Sequence, residues 1–248
     1  MKPFRTIMTI KSKGVVLVTG GAKRIGQAIA LHLADQGYGI ALHYNTSKSE
    51  AMKTASLIYK KRVACELFSC DLADQKQTVR LMGEVYKAFP QLNLLINSAS
   101  IFVPNTFGAQ DLSLFEAHWA VNFKAPYVLA CEFNRLVQQG QIINLIDTNV
   151  AKDVSRYQDY LMTKKALADF TRMSAAAWGP KIRVNGISPG MILPPVNSQK
   201  DDRNERAKRI PVKKVGDVSF ILETVDFLLK NAYVTGQIIA VDGGEQLV

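Results

Sequence analysis

The sequence predicts an α/β fold, a single doubly wound parallel sheet with helices on both faces. Three observations carry that expectation. Val15-Val16-Leu17-Val18 is an unbroken apolar run, the pattern of a strand covered on both sides. It enters the turn Thr19-Gly20-Gly21 and then a helical pattern with apolar Ile25, Ile29, Leu33 and Ala34. Further apolar runs at 38–43, 92–96, 141–146, 182–184 and 237–241 alternate with helical patterns, which suits one α/β domain over 14–248 rather than two.

The first strand and its turn already imply a ligand. A strand that runs through glycines into a helix N-terminus places backbone N–H groups and the helix dipole where a dinucleotide pyrophosphate binds. A tight turn needs glycine for structural reasons too, so its functional meaning depends on the rest of the chain. The second strand ends without the Asp or Glu that would hold a ribose 2′-hydroxyl. It runs instead into His43-Tyr44-Asn45-Thr46-Ser47-Lys48, with Lys23 and Arg24 in the glycine turn. Hydroxyl and amide donors with nearby cations suit a 2′-phosphate, so the expected cofactor is NADP(H), with His43, Asn45, Thr46 and Ser47 among its contacts.

Farther along, a helix is expected over 157–178, with Ala166, Leu167, Phe170, Met173 and Ala177 at core-facing spacing. Tyr160 and Lys164 lie four residues apart and so share one face of it. A nearby cation favours phenolate and can lower a tyrosine pKa from ~10 toward a range useful for proton transfer. Asp147, upstream of both, acts in the opposite sense on Tyr160. The three groups are expected to titrate as a coupled set.

These residues resemble the short-chain dehydrogenase/reductase family, of Rossmann-type fold, over nearly the whole chain from Gly14 onward. The resemblance rests on Thr19, Gly20 and Gly26 of a T-G-x-x-x-G-x-G motif, on Asp71-Leu72, and on Asn97-Ser98-Ala99-Ser100. It continues through Val121-Asn122-Phe123, Tyr160 with Lys164, Pro189-Gly190, and Val234-Thr235-Gly236 with Val241-Asp242-Gly243-Gly244. It implies that Asn122, Tyr160 and Lys164 are catalytic, with Asp147 as a fourth member and Asn122 supporting the lysine through a water. Asp71 and Leu72 would flank the adenine ring. Gly20, Lys23, Arg24, Ile25, Gly26, Ser98, Ala99, Ser100, Tyr160, Lys164, Pro189, Gly190 and Ile192 would complete the cofactor site. No threonine follows Pro189-Gly190 closely, so nicotinamide-amide contacts fall to backbone groups around Ile192. The family also implies a homotetramer and a substrate lid near 194–215.

Three departures narrow the substrate. Arg24 replaces the middle glycine, Asp147 replaces the usual serine, and Ser98-Ala99-Ser100-Ile101-Phe102 follows the fourth strand, with Ser98 where asparagine is commoner. Together they look like the pteridine reductase and dihydromonapterin reductase branch. Serine would donate to a carbonyl oxygen, whereas a carboxyl group accepts from ring N–H or amino groups, or donates when protonated. By this resemblance Arg24, Ser100, Phe102, Asp147 and Tyr160 would bind substrate, with Phe102 stacked on a pterin. The expected reaction is NADPH-dependent reduction of a pterin or dihydropterin C=N bond. Two alternatives stay open: a general carbonyl or 3-oxoacyl reductase of the same family, and a non-catalytic NADP(H)-binding regulator.

Composition narrows the partners. The formal charge of +10 comes from 31 Lys+Arg against 21 Asp+Glu. Those cations are spread along the chain, with clusters at Lys60-Lys61-Arg62 and over 203–214 but no nucleic-acid motif around either. An anionic cofactor is a sufficient partner for a positive field, so neither nucleic acid nor membrane is expected. No run reaches the ~18 apolar residues of a membrane span. Cys65, Cys70 and Cys131 form no C-x-x-C pair, and His32, His43 and His118 are scattered, so no metal site is expected. Three thiols without an export signal suit a reducing, cytoplasmic setting. Residues 1–13 contain no acid and are expected to be a flexible start, or to hold the initiation site at Met8.

Overall fold

Seven strands and eight α-helices follow one another in the computed structural model, which describes residues 13–105, 108, 111–153, 156–194 and 203–248. Residues 1–12 of the expected extension and 195–202 of the expected lid lie outside the described residues. The strands are β1 (Val15–Val18), β2 (Gly39–Tyr44), β3 (Cys65–Ser69), β4 (Leu92–Asn97), β5 (Gly140–Leu145), β6 (Ile182–Pro189) and β7 (Ile238–Val241). They form a seven-stranded sheet in the order β3-β2-β1-β4-β5-β6-β7. The pairings β1–β2, β1–β4, β2–β3 and β6–β7 are all parallel. The predicted Rossmann-type α/β sheet is therefore the observed one.

The chain gathers into two compact units, one of residues up to Ser100 with Lys124–Ile142, the other of Ile101–Phe123 with Ile143–Val248. In the first, every residue of β1 is fully buried, as are Ile40, Ala41 and Leu42 of β2. Continuous apolar strands of this kind follow from cover on both faces. α1 (Arg24–Asp35) buries Ile29, Ala30 and Leu33, and α2 (Lys48–Lys60) buries Ala51, Ala55 and Ile58. α3 (Gln75–Ala88) starts at Asp74, whose carboxylate accepts the Gln77 amide at 3.1 Å, an N-cap that satisfies an otherwise unpaired donor. α3 packs against α5 (Ala125–Leu136).

In the second unit α4 (Ser113–Trp119) packs on α6 (Gln158–Trp178), and α4 is followed by a π-helical turn, Ala120–Lys124. α7 (Arg203–Ala207) is short, and α8 (Val218–Lys230) packs on β6 and β7. The core stripe of α6 is displaced from the expected one. Leu161, Lys164, Leu167, Ala168, Thr171, Ser174 and Ala175 face inward, while Ala177 is exposed and Met173 is 71% exposed. Polar residues occupy the buried face because their hydroxyls are satisfied there: Thr171 Oγ1 donates to the Leu167 carbonyl and accepts from Asn144, and Ser174 Oγ donates to the Phe170 carbonyl. β6 likewise runs past its expected apolar core at 182–184. Its polar Asn185 is satisfied by the Val234 carbonyl and the Gln237 amide. No helix among the described residues is long and apolar enough to cross a membrane.

Candidate active site

In the first unit the turn between β1 and α1 closes to distances that only glycine permits. Gly20 has φ +63°, and a Cβ on it would lie 2.9 Å from Ala99 Cα. A Cβ on Gly26 would lie 2.4 Å from the Gly20 carbonyl oxygen. Thr19 Oγ1 accepts the Ser98 and Ala99 amides at 3.0 and 3.1 Å, tying the segment after β4 to this turn. The result is a tight glycine turn that brings bare backbone to the start of α1, a cradle that fits a dinucleotide pyrophosphate. Arg24, at the expected middle-glycine position, keeps the left-handed backbone of a glycine, with φ 57°. Holding a side-chain-bearing residue there costs about 1–3 kcal/mol.

Around this turn Lys23 and Arg24 are exposed, Ile25 is half-buried and Gly26 is buried. Lys23 Nζ lies 3.9 Å from the Glu50 carboxylate, an exposed pair that leaves the cation largely available. Asn45 and Thr46 are exposed, Ser47 is half-buried, and Asn45 Nδ2 donates to Asp71 at 3.4 Å. Asp71 also accepts the Ala73 amide at 3.0 Å, while Leu72 beside it is buried. Ser100 is exposed at the end of the segment that Thr19 holds.

His43, an expected cofactor contact, is also tied inside the protein. Its ring is buried, Nδ1 accepts the Gly20 amide at 3.1 Å, and Nε2 lies 3.0 Å from the Cys70 carbonyl. An acceptor at Nδ1 requires the neutral tautomer with hydrogen on Nε2, which then donates to Cys70. Both nitrogens are therefore used inside the protein, and burial pushes the imidazole pKa below its ordinary value.

In the second unit Asp147, Tyr160, Lys164 and Phe102 come together. Tyr160 donates its hydroxyl to Asp147 Oδ2 at 2.8 Å. Asp147 Oδ1 accepts both the main-chain and side-chain amides of Asn149 at 2.8 Å, which fixes the carboxylate plane. Lys164 Nζ donates to the Leu145 carbonyl at 2.8 Å and lies 5.7 Å from the centre of the Tyr160 ring. Phe102, 49% exposed, stacks on Tyr157 with centroids 3.9 Å apart and meets Tyr160 edge-on at 4.7 Å.

The electrostatics decide between the two opposing influences expected on Tyr160. Burial, reinforced by the adjacent Asp147, raises the Tyr160 pKa well above its ordinary value rather than lowering it. Lys164, also buried, is lowered to about 8, with Asp147 opposing the shift. In this arrangement Tyr160 is a protonated donor held on a carboxylate, with an ammonium nearby. Asn122 is fully buried and spans Ile101, its Oδ1 accepting the Ile101 amide at 2.9 Å and its Nδ2 donating to the Ile101 carbonyl at 3.0 Å. It thus shapes the segment that carries Phe102. After β6, the Gly190 amide donates to the Val241 carbonyl, and a Cβ on Gly190 would lie 2.6 Å from Asp242 Cβ. Pro189 is half-buried and Ile192 is buried.

The structure also brings in Asn105, His118, Tyr157 and Asp159, which sequence reasoning did not single out as site residues. Only Asp159 carried a signal, as the immediate neighbour of Tyr160; Asn105 is paired with it across 54 positions. Among the described residues no group of three His, Cys, Asp or Glu side chains could hold a metal ion.

Sheet order, glycine cradle and the Asp147–Tyr160–Lys164 group define an oxidoreductase of the nicotinamide-dependent class. A family profile described as Enoyl-(Acyl carrier protein) reductase matches residues 20–246, and the chain belongs to the short-chain dehydrogenase/reductase family. It is similar to the 3-oxoacyl-(acyl-carrier-protein) reductase of Staphylococcus epidermidis, at 30% identity over 92% of this chain and 97% of that one. It is also similar to the dihydromonapterin reductase of Shigella boydii, at 25% identity over 94% and 96% of the two chains. Among solved structures, FolM alternative dihydrofolate reductase 1 from Brucella suis in complex with NADP matches with a TM-score of 0.90 at 34% identity, covering 95% of this chain and 96% of that one.

Proposed function

We propose that this chain is an NADPH-dependent reductase of a pterin or dihydropterin C=N bond. The observation that carries it is the 2.8 Å hydrogen bond from Tyr160 to Asp147, a carboxylate where most of the family has serine. Likeness to the Brucella suis and Shigella boydii proteins supports the same substrate class.

For the cofactor, Gly20, Gly26 and the start of α1 would take the pyrophosphate. Lys23, Arg24, Asn45, Thr46 and Ser47 would face a 2′-phosphate, and Asp71 and Leu72 the adenine. Ser98, Ala99, Ser100, Pro189, Gly190 and the backbone at Ile192 would line the rest. When bound, NADPH supplies the hydride. This chain's residues manage position and protons. Within the second unit Phe102 would offer an aromatic face to a flat ring and Asp147 would answer its polar edge; the family likeness alone adds Arg24 and Ser100 as substrate contacts. Tyr160 keeps its proton in the resting site and gives it to the ring nitrogen as the ring carbon is reduced. The phenolate so formed regains a proton from water. Lys164 stabilises the phenolate. The assembly we propose is a homotetramer, and the described residues 203–215 would belong to a lid that excludes water over the substrate.

A second possibility, reduction of a carbonyl or 3-oxoacyl substrate, draws on the likeness to the Staphylococcus epidermidis enzyme. It lacks the serine donor. NADPH oxidation with dihydromonapterin and dihydrobiopterin beside a ketone and acyl-thioester panel separates the two. Dihydropterin turnover that is lost in Tyr160→Phe supports the proposal, and ketone turnover with inert pterins overturns it.

A further inference from the structure

The segment that carries Phe102 is tied inward at alternate residues. Ile101 is held through both main-chain groups by Asn122. The Val103 amide donates to His118 Nε2 at 3.4 Å, and His118 is fully buried. The Asn105 amide donates to the Arg156 carbonyl at 3.1 Å, and Asn105 pairs with Tyr157 as an isolated parallel bridge. Asn105 uses its side chain as well, donating through Nδ2 to the Asp159 carboxylate and accepting the Asp159 amide at 3.2 Å. Asp159 is an acid in the first turn of α6 with only 8% exposure, so Asn105 satisfies both a helix-end donor and a buried carboxylate.

Between these ties the Phe102 ring points outward. One face is backed by Tyr157, at 3.9 Å and 14° between planes, and its ring meets Tyr160 at 78°. The Phe102 ring is therefore placed beside Tyr160 by ties on its neighbours along the chain as well as by its own ring contacts, and His118 itself meets the Tyr160 ring edge-on at 6.4 Å. Offset stacking of a flat ring is sensitive to the tilt and position of the aromatic it meets.

We propose that Asn105, His118 and Asp159 are positioning residues, forming a strap that sets the Phe102 ring beside Tyr160. The strap governs affinity for flat substrates rather than the rate of chemistry. This rests on the assignment of a pterin-type substrate, with Tyr157 as the backing plate of the aromatic wall.

The test measures dihydropterin kinetics and amide hydrogen exchange on the full-length enzyme, on Asn105→Ala and on Asn105→Asp, which keeps the size but removes the donor to Asp159. Folding of each variant is checked by thermal melting, and the aspartate variant serves if the alanine one does not fold. The expected result is a KM for dihydropterin raised about tenfold with kcat within about twofold. Phe102→Ala combined with Asn105→Ala should be no worse than Phe102→Ala alone, because the strap acts through that ring. Equal loss in kcat, or losses that add, overturns the proposal. If the unaltered enzyme reduces no dihydropterin, the substrate assignment fails, and amide exchange decides the strap by itself. Protection at Val103 and Asn105 should then fall about tenfold or more in the variants, and unchanged protection overturns the strap whatever the substrate.

Discussion

The imidazole of His43 holds the Gly20 amide at 3.1 Å, so the second strand supports the glycine turn of the first directly. The bond exists only while Nδ1 is unprotonated. Burial lowers this pKa from 6.5, so the unfolded chain binds the proton more readily than the folded one. The contribution of His43 to stability is therefore complete above the ordinary imidazole value and declines as pH falls below it.

Chemical denaturation between pH 7.5 and 5 should show that decline, and His43→Ala should flatten part of it. Part of the remaining slope belongs to His118, whose pKa is lowered in the same direction by burial, and the part nearest pH 7.5 to Lys164, whose ammonium burial lowers to about 8. At pH 7.5 the variant should lose roughly 1–3 kcal/mol from the unpaired turn amide. A slope as steep as that of the unaltered protein would show that the Gly20 bond does not gate the turn.

Arg24 separates conformational strain from ligand chemistry. With φ 57°, alanine at this position gains no relief, whereas glycine does. Arg24→Gly should melt higher than Arg24→Ala, by about 1 kcal/mol in stability. Both should weaken NADPH binding alike, because both remove the guanidinium. If Arg24→Ala is as stable as Arg24→Gly, the left-handed conformation is not maintained in solution.

Much of the fold and site is legible in the sequence, for reasons that differ by region. Val15–Val18 marks the first strand because burial on both faces leaves an apolar run, and Gly20 and Gly26 mark a turn that closes too tightly for any Cβ. Tyr160, Lys164 and Asp147 can be paired because helix spacing and the family likeness both point to them. The inward face of α6 cannot be read correctly, since Thr171 and Ser174 are polar in sequence and become core only through bonds to carbonyls one turn back. His43 stands out in the sequence as a cofactor contact, but its bond to Gly20 depends on the β1–β2 register, which composition does not disclose. The Asn105–Asp159 pair is hidden for a similar reason, being a long-range contact between two ordinary polar residues.

Lys164 should impose the alkaline limit on turnover. Its ammonium is lowered from 10.5 to about 8 by burial, so it loses charge as pH rises through that value. If the charged form is needed to stabilise a Tyr160 phenolate, kcat should fall about tenfold for each pH unit above it. The Tyr160 phenol, raised by burial and Asp147, stays protonated across this range and does not contribute. Replacement by arginine, which keeps its charge, should remove the limb in whatever activity survives. A limb that persists in Lys164→Arg would assign it to another group.

Asp147 bears on both the pH limit and the substrate. Its negative charge raises the pKa of Lys164 and of Tyr160 alike. Asp147→Asn keeps an oxygen to accept the Tyr160 hydroxyl but removes the charge, so both pKa values should fall and the alkaline limb of kcat should move to lower pH. Asp147→Ser restores the residue most of the family carries, and it should reduce kcat/KM for dihydropterin about hundredfold while NADPH affinity stays within about twofold. Any ketone turnover should rise in the same variant, because a hydroxyl can donate to a carbonyl oxygen and an ionised carboxylate cannot. Competing-substrate assays on the serine variant read both changes at once. Dihydropterin turnover equal to that of the unaltered enzyme would remove Asp147 from substrate recognition and leave its hydrogen bond to Tyr160 a matter of proton balance alone.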